Sequence, residues 1–430
     1  MHWESRCAKA DPDRYKAASL PASFSGLKAV TTKSGDINFV AYAQSYRNGT
    51  AYNEELAETY LSSARIYDSI YVRHWDTYLT TTFNAVFSGT LKKTQHARYA
   101  SAGGLKNLVA PIPNAESPYP PFGGSSDYDI SADGKWVAYK SKAPDVPQAN
   151  HTTAYIYLVP HDGSETPVPI NGPGSAPEGI EGDSNNPVFS PDSKSLAYLQ
   201  MEDPTYESDR RVIYIYDLAS KKITPLATEW DRSPDSLKWT DKSTIVAGSE
   251  DEGSGNLFLI PVKKATGDFI PEKLTDGKYA SAFYLASNNT LVVTGSTLYS
   301  SWYVDLVSLN PKRGTIKNLV SAHEIDPELS GLGPEDISDI WFAGNWTDVG
   351  SLFCLVDREL TISSRSTPGL STPKASTRAR PTHWPSLSTA DPRAHGTTPG
   401  APAGTPRSSP TRATSLSRPT QPVVPATAMN

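Results

Sequence analysis

Asp129-Ile-Ser-Ala-Asp-Gly-Lys-Trp-Val-Ala-Tyr139 and Val188-Phe-Ser-Pro-Asp-Ser-Lys-Ser-Leu-Ala-Tyr198 are two copies of one pattern. In each, a short apolar strand meets a polar S-x-D-G/S-K turn and a second strand leaves it. The aspartate accepts backbone N–H bonds at the corner, and Gly134 or Ser193 tolerates the tight conformation. Both copies run on into a strand of alternating character, Ala154-Tyr-Ile-Tyr-Leu-Val159 and Arg211-Val-Ile-Tyr-Ile-Tyr-Asp217, then a polar turn and a last short strand. Four antiparallel strands recurring every 50 to 60 residues or so, roughly, are the signature of a β-propeller blade.

The same texture continues on both sides. Upstream, Leu27 to Gln44 predicts two strands around Thr32-Lys-Ser-Gly-Asp36, followed by a polar insertion from Ser45 to Ser62. Ile70 to Leu91 predicts two more, one of them Tyr71-Val-Arg-His-Trp-Asp76, which makes 27–109 one blade. The two quoted units occupy 122–171 and 184–227, and two further units follow at 235–275 and 280–321. Glu335 to Thr347 predicts one more strand leading out. After about Gly350, Ser, Thr, Pro, Arg and Ala dominate and apolar periodicity stops, a composition that favours disorder. The expectation is an all-β chain: an irregular start (1–14), an incomplete β-propeller of five blades (15–349) and a disordered tail (350–430).

Composition agrees with that class. The 430 residues are 37% hydrophobic and include 22 Tyr and 9 Trp, types that favour strands. No apolar run approaches the roughly 20 residues of a membrane helix, so no membrane is expected. Met1-His-Trp-Glu-Ser-Arg-Cys-Ala-Lys9 lacks the apolar centre of a signal peptide. The net charge of −6 is uneven: nine Lys and Arg against two Asp and Glu lie from Arg358 onward, leaving 31 basic and 44 acidic residues before it. An acidic body argues against a nucleic-acid partner, since phosphates attract the opposite sign. Cys7 and Cys354, the two cysteines, lie at opposite ends and suggest neither a disulfide framework nor a metal site.

There is no G-x-S-x-G nucleophile elbow, H-E-x-x-H, P-loop or G-x-G-x-x-G motif. His74 in Arg73-His-Trp-Asp76 reads as strand packing, with substrate contact as the alternative. His161 reads as a turn residue, and Glu250-Asp251-Glu252 as a solvated loop rather than a cation site. Asp133 and Asp192 lack the D-x-D-x-D-G spacing of a calcium loop. No catalytic residue, metal ligand or cofactor site is expected in the body. Four Asn-x-Ser/Thr triplets, at Asn48, Asn150, Asn288 and Asn345, are candidate glycosylation sites and point to a secreted ancestor.

Several runs are long enough to be specific: Tyr15-Lys-Ala-Ala-Ser-Leu-Pro-Ala-Ser-Phe-Ser-Gly26, Ser63-Ala-Arg-Ile-Tyr-Asp-Ser-Ile-Tyr-Val-Arg-His-Trp-Asp76, Asn114-Ala-Glu-Ser-Pro-Tyr-Pro-Pro-Phe-Gly-Gly124 and Ile325-Asp-Pro-Glu-Leu-Ser-Gly-Leu-Gly-Pro334. They resemble fungal dipeptidyl-peptidase V, a family of the prolyl-oligopeptidase clan of serine peptidases, and the similarity spans about Tyr15 to Val349. The resemblance implies a secreted enzyme whose propeller caps an α/β-hydrolase domain with a Ser-Asp-His triad, acting on the free amino ends of peptide substrates. Relative to that family, this chain is expected to lack the signal peptide, the opening blades and the hydrolase domain, so no triad residue carries over.

The tail itself suggests where that domain went. If each residue of Thr389-Ala-Asp-Pro-Arg-Ala-His-Gly-Thr-Thr-Pro-Gly400 is back-translated and shifted by one base, HGGPQGAWNDSW is a permitted reading. Thr372-Pro-Lys-Ala-Ser-Thr377 permits YPEGFD upstream, and Ala401-Pro-Ala-Gly-Thr-Pro406 permits STRWNP downstream. HGGP is an oxyanion-loop type of motif, and the order of these strings resembles the start of the family's catalytic domain. The expectation is a truncated, inactive dipeptidyl-peptidase V with an out-of-frame tail. The alternative is a stand-alone propeller acting as a binding module.

Overall fold

Ser131 is the hub of the first quoted turn. Its Oγ accepts from the N–H groups of Lys135 (3.1 Å) and Trp136 (2.9 Å) and donates to Asp133 Oδ1 at 2.7 Å. Asp133 Oδ1 in turn accepts from Lys135 N–H at 3.1 Å. Ser190 and Asp192 repeat the arrangement with Lys194 and Ser195, at 2.7 to 3.3 Å. Gly134 (φ 73°) and Ser193 (φ 57°) occupy the same left-handed position, which is free of strain for glycine and costs about 1 kcal/mol for serine. The two turns are also bonded to each other, because Ser193 Oγ accepts from Asp133 N–H at 2.9 Å.

The computed structural model describes residues 15–57, 62–68, 70, 72–94, 98–173, 182–267, 269–287, 290–309, 314–328, 331, 333–334, 339–343 and 352–356. The first blade is formed by β1 (Ser25–Thr31) and β2 (Ile37–Ser45), and then by β5 (Phe83–Lys93), β6 (Tyr99–Ser101) and β7 (Lys106–Asn107). Between them the two-residue strands β3 (Arg73–His74) and β4 (Thr77–Tyr78) form a separate ribbon. The second blade is β8 (Tyr128–Ile130), β9 (Trp136–Lys142), β10 (Ala154–Pro160) and β11 (Val168–Pro169). The third is β12 (Ser184–Phe189), β13 (Ser195–Gln200), β14 (Val212–Asp217) and β15 (Ile223–Leu226). The fourth is β16 (Pro234–Asp241), β17 (Thr244–Asp251), β18 (Ser254–Pro261) and β19 (Glu272–Lys273). The fifth is β20 (Tyr279–Ser287), β21 (Thr290–Ser296), β22 (Tyr303–Ser308) and β23 (Ile316–Ser321). A one-turn helix, α1 (Ala322–Ile325), follows, and then a hairpin of β24 (Asp339–Ala343) with β25 (Leu352–Val356).

First strands lie side by side around the axis: β1 against β8, β8 against β12, β12 against β16 and β16 against β20. Among the described residues the fifth blade has no comparable contact with the first, so five blades make an open arc. Packing explains why the strands are so apolar. β14 sends Val212, Tyr214 and Tyr216 to the second blade, and Ile213 and Ile215 to the fourth. β10 divides likewise, with Tyr155, Tyr157 and Val159 on one side and Ile156 on the other. The second and third blades repeat a stacked cross-strand tyrosine pair, Tyr139–Tyr157 (5.3 Å) and Tyr198–Tyr214 (5.7 Å).

Two expectations are corrected. Ala154 to Val159 and Val212 to Tyr216 do not alternate between core and solvent, because both faces of an interior blade are buried. The expected blade strand at Tyr71 to Asp76 is replaced by the small ribbon, to which Arg73 and His74 belong, and the next blade strand begins at Phe83; Tyr71 lies outside the described residues. Leu352–Val356, at the start of the expected tail, pairs with Asp339–Ala343; the rest of 350–430, and residues 1–14, lie outside the described residues.

Candidate functional site

An antiparallel meander places its first-to-second and third-to-fourth turns at one end of the propeller. The second-to-third connections and the links between blades lie at the other end, here the loop face. This face also carries the inserted ribbon of the first blade. Three acids mark the starts of successive first strands there: Asp127 before β8, Asp183 before β12 and Asp235 as the second residue of β16.

Asp183 is the best anchored of them. Lys140 Nζ from β9 lies 2.9 Å from its Oδ1 and 3.1 Å from its Oδ2, and each side chain is 14% exposed. Burial works against the Asp183 charge, but Lys140, Lys142 and Arg211 outweigh it and hold the carboxyl below its usual range. Asp127 is buried and accepts from Tyr119 N–H at 3.1 Å. Burial, opposed by Lys140 and reinforced by Asp183, pushes its pKa up to about 6. Glu116 accepts from Asn84 N–H at 2.8 Å, and burial raises it to about 7 against the pull of that bond and of Arg47. Lys142 donates to Thr152 O at 2.8 Å and lies over the Tyr119 ring at 5.4 Å; burial, then Lys140, lowers its pKa. Arg211 Nε is buried without a hydrogen-bond partner among the described residues. Tyr279 OH closes the row by donating to Glu250 at 2.8 Å.

An aromatic ledge stands beside these charges. His74 lies 5.8 Å from Tyr119 and 6.0 Å from Phe122, and Trp75 lies 5.5 Å from Phe122. Trp75, at φ 50° on the ribbon tip, and Phe122 are 66% and 60% exposed. Burial, then Lys142, lowers the His74 pKa. The loop face therefore offers fixed charges of both signs beside flat apolar surface. A Ser–His hydrogen bond, Ser321 Oγ to His323 Nδ1 at 3.0 Å, joins residues two apart at the start of α1. Ser321 is buried and Tyr299 covers the imidazole, so the pair ties down a turn.

The residues singled out in the sequence scatter. His161 is buried with Nε2 3.2 Å from Phe39 O, so it pins the second blade to the first as well as ending a strand. Asp251 is held by Arg232 Nε (2.5 Å) and Lys273 Nζ (2.8 Å), and it is a buried ion-pair centre rather than part of a solvated loop. Among the described residues no group of three or more His, Cys, Asp or Glu is placed to hold a metal. Asn48 and Asn150 are exposed, and Thr50 donates to Asn48 Oδ1 from its hydroxyl (2.7 Å) and its N–H (3.0 Å). Asn288 and Asn345 lie outside the described residues. Sequence reasoning missed Asp127, Asp183, Lys140 and Glu116, which sit in no motif; the faint signal was an acid just ahead of a blade's first strand.

No family model matches the chain. Over 338 residues it is 98% identical to a protein of Emericella nidulans named "Probable dipeptidyl-peptidase 5", covering 79% of this chain and 47% of that protein. Over 340 residues it is 64% identical to the dipeptidyl-peptidase 5 of Aspergillus fumigatus, covering 78% and 47%. The chain thus spans about half the length of the curated relatives it matches. Among solved structures, an acylaminoacyl peptidase of Pyrococcus horikoshii superposes with a TM-score of 0.50 at 14% identity, over 79% of this chain and 45% of that one. That likeness shows a shared fold. By its sequence identity over 338 residues, the propeller of this chain is homologous to the dipeptidyl-peptidase 5 proteins of these fungi, across a little under half of their length.

Proposed function

We propose that this chain is the propeller part of a secreted serine-type dipeptidyl-peptidase and that by itself it does not hydrolyse peptides. The carrying observation is the 98% identity to a protein of that name, over 47% of its length. Acyl transfer needs a nucleophile, a base and oxyanion donors within hydrogen-bond reach of one another. The polar groups of the loop face are instead lysines and acids bound to each other or to backbone amides. Their role is to receive and orient peptide substrates for a hydrolase domain, with Trp75 and Phe122 offering apolar contact. Residues 350–430 are an out-of-frame translation of that domain's coding sequence, the frame changing between Val349 and about Thr372. Exposed Asn48 and Asn150 carry glycans when the protein passes through a secretory pathway, and Asn288 and Asn345 complete the set of acceptors.

The test is an assay of the purified chain with a dipeptide p-nitroanilide. Release at the buffer rate is expected, and turnover blocked by a serine-directed inhibitor would overturn the reading. Sequencing the transcript across the codons for Trp346 to Thr372 tests the tail. A spliced message that restores HGGPQGAW supports the frame reading, and one without any such frame in the downstream sequence removes it.

A further inference from the structure

The ribbon of β3 and β4 is too short to hold its own shape. Arg73 pairs with Tyr78 and His74 with Thr77, and a lone two-stranded hairpin is marginal in water even when longer. Trp75 and Asp76 make the turn, and Trp75 holds φ 50° at a position that suits glycine. Arg73 Nη1 donates to Trp75 O (2.6 Å), Tyr67 OH to Leu79 O (2.8 Å) and Leu79 N–H to Val72 O (3.0 Å). These bonds close the inserted segment on itself. The tie from its tip to the body is His74.

Its imidazole lies against the Tyr119 and Phe122 rings and donates to Pro120 O, all in the link that leads into β8. That link is itself fixed. Tyr119 N–H donates to Asp127 (3.1 Å), Tyr119 OH to Gln148 Oε1 (3.3 Å), Gly123 N–H to Tyr119 O (2.7 Å) and Asn84 Nδ2 to Pro118 O (3.1 Å). A marginal hairpin therefore hangs from a fixed segment by one ionisable ring and the Trp75–Phe122 contact beside it. The charged groups acting on that ring from other elements are Lys142 of β9 and Glu207 of the β13–β14 loop; Arg73 and Asp76 are its neighbours on the ribbon. Burial, then Lys142, holds the imidazole below its ordinary value, against Glu207 and the bond to Pro120.

We propose that His74 is a positioning residue, a clasp that seats Trp75 against Phe122 while its ring is neutral and releases the ribbon tip when the ring is protonated. A neutral imidazole gives its one N–H to Pro120 O. The imidazolium has a second N–H and a charge to satisfy, between two aromatic rings and beside half-buried Lys142. Water satisfies both once the tip swings out. The sign follows from linkage: a histidine favoured neutral in the folded state adds stability above about pH 6.5 and loses it as pH falls below that value. Dispersal of the ledge in acid weakens its hold on a peptide, and that consequence alone rests on the function proposed above.

Fluorine NMR of the full chain labelled with 5-fluorotryptophan tests the clasp, with the Trp75 resonance picked out of nine by Trp75→Phe. In an acid titration from neutral pH that resonance is expected to shift, with a midpoint below about 6.5. His74→Gln should remove the shift, and Asp127→Asn, at the buried acid beneath the link, should leave it. No shift, a midpoint above about 6.5, or a shift that persists in His74→Gln overturns the proposal. So does a shift abolished by Asp127→Asn, which makes that carboxyl the switch. The wild-type titration needs no variant to fold. No peptide is added, so failure here and failure of the peptidase reading are separate results.

Discussion

Ser131 and Ser190 each hold two backbone N–H groups and one carboxylate with a single oxygen. Ser131→Ala leaves those donors to find water at a half-enclosed turn, and a loss of about 1 to 3 kcal/mol is expected in urea unfolding. The repeated aspartate is legible in the sequence because Asp-Gly and Asp-Ser announce turns. The serine two positions earlier does more of the bonding, but isolated serines carry no such signal. Glu116 and Asp127 support a second prediction. Both are raised on folding, so the stability they permit is full below about pH 4, near their unfolded values, and is lost as pH rises through about 6 for Asp127 and about 7 for Glu116. Glu116→Gln should therefore match the wild-type Tm near pH 4.5 and exceed it at pH 8, as read by differential scanning calorimetry. Equal melting temperatures at both pH values would refute the burial of a charged Glu116.

At the scale of strands, the second and third blades were legible because their turns repeat almost letter for letter. The first blade was less so: Val72-Arg-His-Trp75 has strand-like residue types, yet only Arg73 and His74 pair, with Tyr78 and Thr77 of β4 rather than with the blade. Residue type reports a preference for a pleated, half-buried surface and cannot say which sheet supplies it. The interior strands should tolerate loss poorly. Ile213→Ala opens a cavity between the third and fourth blades and is expected to cost about 2 to 5 kcal/mol by chemical denaturation. Ile316→Ala, at the partly exposed outermost strand β23, should cost well under half of that.

For the whole molecule, an array in which each blade touches only its neighbours is stabilised by nearest-neighbour terms. Amide hydrogen exchange should then be slowest in β13 and β14, flanked on both sides, and faster in β20 to β22, which have one neighbouring blade among the described residues. Uniform protection across blades would mean that the arc unfolds as one unit. The number of blades could be read from spacing alone, because turns punctuate the chain. The charged loop face could not, since Asp127, Lys140 and Asp183 are 13 to 56 residues apart and meet only when two blades are laid side by side.

The division of each interior strand between two clusters makes the blades party walls between four separate rooms. Ile213 and Tyr214 are consecutive in the chain but look into different rooms, whereas Ile213 and Leu237 share one. Truncating the two consecutive residues together should give nearly additive losses, while truncating Ile213 with Leu237 should not. Distance along the chain, for this protein, is a poor guide to which substitutions will feel each other.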